Sequence, residues 1–357
     1  MEPLKNVYNE EYISSLAQAV SAATKINTSK FTQDVFFSGW DDLELKARMK
    51  HITLVLHKHI NGQYPEQLNV ICEVSKQTKG GLEGMGLPDF IEQFGSAHWK
   101  ESMKGLEILT AHSTGEFAVR PFLEQNLEKG MEQMLNWSTH SNYHVRRLAS
   151  EGCRPRLPWG MALKDLKKDP SLLWPVLENL LDDSEEYVRR SVANNLNDIS
   201  KDHPELVLDK CAAYLKEKPS RKRLVKHALR GLLKQAHPKA LQIFEYSNLE
   251  GFELKEFKLD KEQVHGEDSL RMNLVYSSAV PKKLRIEYVV GFMKSNGKQA
   301  PKVFQWSELE QFSGENQVSK QHSFKELTTR KHYSGLHTFS LRVNGEVLAE
   351  THVELRK

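Results

Sequence analysis

STHSNYHVRRLASEGCRPRLPWG, residues Ser138 to Gly160, decides how this chain reads. On a helical wheel Val145, Leu148, Ala149 and Gly152 fall on one side, at i, i+3, i+4 and i+7. Arg147, Glu151 and Arg154 fall on the opposite side. Pro155 and Pro158 end the helix, because proline has no N–H to continue the ladder. They deliver Arg156 and Trp159 just beyond it. One face is built to pack, and the other carries a carboxylate between two guanidiniums. Glu151 either pairs with Arg147 on a solvated face or belongs to a site, and this helix alone leaves both readings open.

The stretch recurs. Tyr143-His144-Val145-Arg146-Arg147 returns 43 residues later as Glu186-Tyr187-Val188-Arg189-Arg190. A weaker third copy, Leu224-Val225-Lys226-His227 running into Ala228-Leu229-Arg230, follows after 37 more. Asp182, Asp183 and Ser184 precede the second copy, where acceptors and negative charge suit a helix start. Helix pairs at a period of about 40 residues mark a HEAT-like solenoid, in which one helix of each pair lines a concave surface. The slot of Glu151 holds Asn194 in the second copy and Gly231 in the third, so its charge is not a repeat feature.

Upstream, EEYISSLAQAVSAAT (10–24) and DDLELKARMKHITLVLHKHI (41–60) also read as helices. The second takes Leu43, Ala47, Met49 or Lys50, and Leu54 as its apolar face, with Asp41 and Asp42 at its start. The Gly-rich KGGLEGMG (79–86) reads as a connector, since no Gly-Lys-Ser/Thr follows. After Leu249 the period changes to two. Leu270, Met272, Leu274 and Tyr276 alternate with Arg271, Asn273 and Val275; Leu284, Ile286, Tyr288 and Val290 with Arg285, Glu287 and Val289; and His337, Phe339, Leu341 and Val343 with Thr338, Ser340 and Arg342. Asn344-Gly345 supplies a hairpin turn. About seven strands in this length suggest a small Ig-like sandwich, without the antibody-type disulfide. The expected fold is mainly α: a curved HEAT-like solenoid over 1–247, then an all-β Ig-like sandwich over 248–357.

The 357 residues, 27% of them charged, are enough for such a pair of domains. No apolar run approaches bilayer length and MEPLKNVYNEEY lacks a signal-peptide pattern, so a cytoplasmic protein off the membrane is expected. Cys72, Cys153 and Cys211 are widely spaced and form no CxxC pair. His140 and His144 are four apart but have no third ligand at suitable spacing, so no metal is expected, and no cofactor fingerprint is present. The net charge of +3 is unevenly spread: Lys216 to Lys239 holds nine Lys/Arg against one acid, Glu217. Arg146, Arg147, Arg154, Arg156, Arg189 and Arg190 extend that stripe, which suits a phosphate backbone. Loop residues Lys294, Asn296, Lys298, Lys302, Lys331, His332 and Tyr333 are further nucleic-acid candidates.

Four segments carry a resemblance. STGEFAVRPFL (113–123), SNYHVRRLASEGCRPRLPW (141–159), RRSVANNLNDISKDHPELV (189–207) and KHALRGLLKQAHPKAL (226–241) together resemble the AlkC branch of the AlkC/AlkD-type DNA glycosylases. The resemblance covers essentially the whole chain, Ig-like tail included. It implies a solenoid holding duplex DNA on its concave face and excision of cationic N-alkylated bases, notably 3-methyladenine and 3-methylcytosine, without flipping the base into a deep pocket. It implies Glu116, Glu151, Trp159 and Asp198 as catalytic positions, with the division of labour between the acids left open. Arg120, Arg147, Arg154, Arg156, Arg190, His227, Arg230 and Lys234 are the expected DNA contacts. No cofactor is implied, and a monomer is expected. A non-catalytic scaffold using the same groove is the competing reading. A lyase would need a lysine near the acids, and the sequence places none there clearly.

Overall fold

The structure, a computed structural model, describes residues 3–246, 248–326 and 331–357. It divides into two compact units, Met1–Ala228 and Leu229–Lys357. Among the described residues no helix is long and apolar enough to cross a membrane.

The first unit is a run of short helices, solenoid-like in its repeats. The opening stretch forms the helix Tyr143–Gly152, capped by Asn142, whose side chain accepts from the His144 N–H at 2.9 Å. Val145, Leu148 and Ala149 are fully buried, each large side chain contributing about 1.5–3 kcal/mol. The second copy forms Glu186–Ile199 and the third Lys222–Ala228. Neighbouring copies are stitched by polar contacts as well as packing. Ser150 and Ser191 share a hydroxyl hydrogen bond of 2.7 Å, and Asn195 donates to the Ser150 carbonyl at 2.8 Å.

The first arginine of each of the two strong copies has a structural job. Arg146 Nη1 donates back to the carbonyls of His140 and Ser141, at 2.9 Å each. Arg189 Nη1 does the same to Asp183 and Ser184. Each guanidinium thus clamps the turn that leads into its own helix. Arg146 also forms a two-pronged pair with Asp183, at 2.6 and 3.0 Å. These two arginines therefore leave the stripe that the sequence suggested. The rest of the stripe is also partly neutralised: Arg221 and Lys218 both pair with Asp182, and Arg223 pairs with Glu186.

The helix Leu45–His59 buries Met49 of its expected apolar face but leaves Ala47 and Leu54 exposed. Met49, Ile52, Val55 and Leu56 are inside, whereas Leu54 is 46% exposed. Apolar residues surround this helix, so spacing alone does not select a face. Asp41 and Asp42 belong to a separate 3-10 turn, Trp40–Asp42, and Glu44 occupies the cap position.

The second unit holds β1 (Phe252–Leu259), β2 (Gln263–His265), β3 (Ser269–Met293), β4 (Gln299–Ser323), β5 (Gly335–Val343) and β6 (Glu346–Arg356). Six strands are described where about seven were expected, because β3 and β4 are 25 residues each and run through register shifts instead of breaking. β3 pairs β1 over its first part and β5 over its second, with β4 alongside both. The alternating residues of β3 and β5 are buried as read. Asn344 and Gly345, at φ +46° and +91°, make the expected turn between β5 and β6.

The compact units part at Ala228/Leu229, whereas the expected 247/248 boundary follows the change to strand periodicity; Ser247 itself is outside the described residues. The short helices Arg230–Lys234 and Pro238–Ile243 group with the strands. The reason is a covered charge cluster. Glu287, 1% exposed, pairs with Arg285 and Arg342 at 2.6 Å each, and Arg342 donates to the Lys234 carbonyl at 2.8 Å. The residues between the apolar positions of β3 and β5 are thus buried here, under helix. His332 is also buried, against Phe292 and Phe324, so it is not a loop contact.

Asp183 provides a test of the repeat junction. Burial would raise its pKa, but the Arg146 pair and the Glu185 N–H outweigh it and hold it below the usual carboxylate range. Its stabilisation is therefore full at neutral pH and fades as acid protonates it. Asp183→Ala is expected to lower unfolding stability by roughly 2–3 kcal/mol at pH 7, and by less in acid, as read by urea denaturation.

Candidate active site

The face opposite Val145 is not solvated. Glu151 is 5% exposed and Arg154 6%, because the Thr114–Glu116 turn and the Glu186–Ile199 helix close over them. A chain of alternating charges results. Glu116 Oε2 lies 2.5 Å from Arg147 Nη1, and Arg147 Nη2 lies 3.5 Å from Glu151 Oε1. Arg154 Nη1 donates to the same Glu151 oxygen at 2.6 Å, and Arg154 Nε donates to Asp198 Oδ2 at 2.8 Å. Thr114 donates its hydroxyl to Glu116 Oε2 and accepts from Arg147, both at 2.8 Å. Burial alone pulls the Arg147 and Arg154 guanidiniums down, but their carboxylates overcome it and leave both raised. Such buried pairs add modest net stability, yet removing one member strands its partner at a cost of about 3–5 kcal/mol.

The chain leaves two oxygens over. Glu151 Oε1 takes both arginines, while Glu151 Oε2 has no partner among the described residues and reaches solvent. Glu116 Oε1 is in the same condition. Both residues line an open cleft of about 220 Å³, with Met85, Phe117, Arg154, Leu157, Pro158 and Trp159. Two fixed carboxylates with free oxygens beside an aromatic rim can stabilise a developing cation and accept a proton from water.

Trp159 sits on this rim, 61% exposed, with φ at +62°. A bulky side chain in the left-handed region costs about 1–3 kcal/mol and persists only where its surroundings over-determine it. Arg120 supplies part of that constraint. Its Nη1 donates to the Gly152 carbonyl and its Nε to Met161, each at 2.7 Å, so one side chain ties both ends of the Cys153–Gly160 loop. Gly152 allows the close approach: a Cβ there would stand 2.6 Å from Val119 Cγ1.

The expected site residues thus divide. Glu116, Glu151 and Trp159 meet at the cleft. Asp198 joins the network from behind, with Arg154 on one oxygen and Lys201, at 3.1 Å, on the other, and does not line the cleft. Arg120, expected on a phosphate, is 1% exposed and spent on carbonyls, and burial lowers its pKa to about 10. Arg147 and Arg154 are spent on carboxylates. Arg156 forms a two-pronged pair with Asp202, at 2.9 and 2.6 Å. His227 meets Asn194 at 2.9 Å. Arg190 is exposed and without a partner among the described residues. Arg230 and Lys234 belong to the second unit.

Sequence reading missed Thr114, Phe117 and Lys46. Thr114 had a signal, since a threonine two residues before Glu116 is a turn former. Lys46, whose Nζ donates to the Trp159 carbonyl at 2.9 Å, is 113 residues away and had none. A larger recess of about 620 Å³ lies between the second and third copies, around Arg190, Arg221 and His227. Its acids Asp182, Asp183 and Glu186 are all paired. His140 accepts from the Asn142 N–H, and no group of three or more metal-type ligands occurs among the described residues.

The first unit thus combines helical repeats with a carboxylate cleft, and the second joins six strands to two short helices. Residues 110–230 match the family described as DNA alkylation repair enzyme, and residues 253–357 match the C-terminal Ig-like domain of the uncharacterised protein YhaZ. The chain is 44% identical over 349 residues to the uncharacterised protein YhaZ of Bacillus subtilis (strain 168), covering 97% of this chain and 98% of that one. The solved structure of Pseudomonas fluorescens alkylpurine DNA glycosylase AlkC, bound to DNA containing an abasic site analog, matches with a TM-score of 0.95 and 32% identity over 100% of both chains. The chain belongs to the AlkC/AlkD alkylation-repair family, in the AlkC branch that carries an Ig-like domain.

If Arg120 is the loop's anchor, Arg120→Ala should speed hydrogen exchange at least tenfold in residues 155–163 while the Tyr143–Gly152 helix keeps its protection.

Proposed function

We propose that this protein is a monofunctional DNA glycosylase that releases cationic N-alkylated bases, 3-methyladenine and 3-methylcytosine, from duplex DNA by hydrolysis. The observation that carries the reading is the pair of unpartnered oxygens on Glu116 and Glu151, facing one cleft under Trp159. An N3-alkylated base is already cationic. It departs with the glycosidic electron pair as a neutral molecule, so no general acid is needed. Positive charge develops on the deoxyribose instead. A carboxylate about 4 Å away is worth roughly 4 kcal/mol at an effective dielectric of 20, or close to a thousandfold in rate. Water then adds to C1′ and gives up a proton, which the second carboxylate can accept. Arg147 and Arg154 keep the carboxylates from moving, which preserves the preorganisation. Asp198 acts through Arg154 as a positioning residue. Trp159 offers its π face to the cationic base from the cleft's open rim, which fits a base that is not swallowed by a deep pocket.

Arg190 is proposed as the phosphate contact of the second copy. It occupies the position of Arg147 one repeat on, where Asn194 replaces Glu151 and pairs with His227. Without carboxylates to hold, its guanidinium is left for an external anion. Lys294, Lys298 and Lys331 of the Ig-like unit are proposed as a second set of DNA contacts.

Base release from duplex DNA methylated to contain 3-methyladenine or 3-methylcytosine tests this. Glu151→Gln and Glu116→Gln are each expected to slow release by about 10²–10³ while salt-dependent DNA binding persists. Binding without any release by the wild type would instead assign the chain to the scaffold class. Arg190→Ala should flatten the slope of log K against log salt by about 1, with the single-turnover rate at saturation unchanged.

A further inference from the structure

We infer that Lys46 is the positioning residue that holds Trp159 over the cleft, an inference that rests on the excision reading for its catalytic consequence. Lys46 stands near the start of the Leu45–His59 helix, far from the site in sequence. Its Nζ donates to the Trp159 carbonyl at 2.9 Å and lies 4.4 Å from the centre of the Phe117 ring. Trp159 and Phe117 are both walls of the cleft, so one ammonium spans two sides of it.

The need for such a brace follows from the backbone. Trp159 holds φ +62°, which a tryptophan abandons unless something fixes it. The turn bond from Gly160 N–H to the Leu157 carbonyl, 3.1 Å, and the Arg120 bond to Met161 fix the loop on either side. Neither touches the Trp159 carbonyl. Lys46 is the group that does. With that bond gone, the 159–160 peptide keeps only the Gly160 N–H bond to the Leu157 carbonyl, the left-handed turn loses one of its two fixings, and the exposed indole is held less firmly beside Glu116 and Glu151. The Phe117 face helps to keep the ammonium in place, with the buried Asp89 and Glu92 carboxyls within electrostatic reach of it. Lys46 thereby ties the N-terminal helices to the backbone of the residue whose side chain would meet the base.

The test compares Lys46→Met, which keeps the stem and loses the charge and donor, with Lys46→Arg, each alone and combined with Trp159→Ala. Single-turnover release of 3-methyladenine should fall at least tenfold in Lys46→Met and recover within threefold in Lys46→Arg. On the Trp159→Ala background Lys46→Met should cost less than twofold, because the loss passes through the indole. The salt slope for undamaged duplex should not move. Acrylamide quenching of the Trp159 fluorescence, taken as the difference from Trp159→Phe, should shift in Lys46→Met. An unchanged release rate in Lys46→Met, or an equal loss with and without Trp159, overturns the inference. So does a salt slope lower by about 1, which would make Lys46 a phosphate contact. If the wild type releases no base, the excision reading fails, and the quenching comparison alone decides whether Lys46 holds Trp159: no shift overturns it.

Discussion

One oxygen of Glu151 is shared by two guanidiniums, and the site depends on that sharing. Arg147 carries the connection outward to Glu116 and Arg154 carries it to Asp198. Three segments far apart in sequence are locked by a single row of alternating charges. The row is nearly dry, so its geometry is stiff: moving any member would strand an ion in a medium that solvates it poorly. The stiffness matters because the two oxygens at its edge are useful only if they do not follow the substrate. A carboxylate that relaxes toward the ground state gains nothing when charge appears.

The repeats show how one position takes on several jobs. The first arginine of the motif clamps the turn before its helix in both strong copies. The second differs with its neighbours. Arg147 meets Glu116 and Glu151 and becomes part of a charge row, whereas Arg190, with asparagine in place of glutamate, meets neither. The loss of two carboxylates, one in the slot after the motif and one from the Thr114–Glu116 turn, separates the copy whose arginine is held from the copy that leaves its cation exposed.

Much of this was legible in the chain. The Tyr143–Gly152 helix, its packed face and its proline stop follow from spacing, and the Asn344-Gly345 turn follows from its need for positive φ. The cleft residues Glu116, Glu151 and Trp159 followed from family motifs. What escaped was everything decided by distant partners. Nothing local says that Arg120 is buried on two carbonyls, or that Arg146 and Arg189 point backward. A count of basic residues treats them all as solvent-facing. The burial of Arg285, Glu287 and Arg342 between the apolar positions of β3 and β5 was not legible, because period two separates sides but does not say what covers each. The missed face of Leu45–His59 has the same origin, since a helix apolar on several sides needs its neighbours to choose one.

The Arg342–Lys234 bond sets where the chain can be divided. A cut at the change from helical to strand periodicity would leave the Arg230–Lys234 and Pro238–Ile243 helices on the wrong fragment. The strands would then open Glu287, Arg285 and Arg342 to water, and Leu241, which packs near Gly345, would lose its seat. A severed Ig-like fragment would be sticky and poorly folded for a reason unrelated to DNA. The two compact units part between Ala228 and Leu229, inside what the sequence presents as one continuous helix.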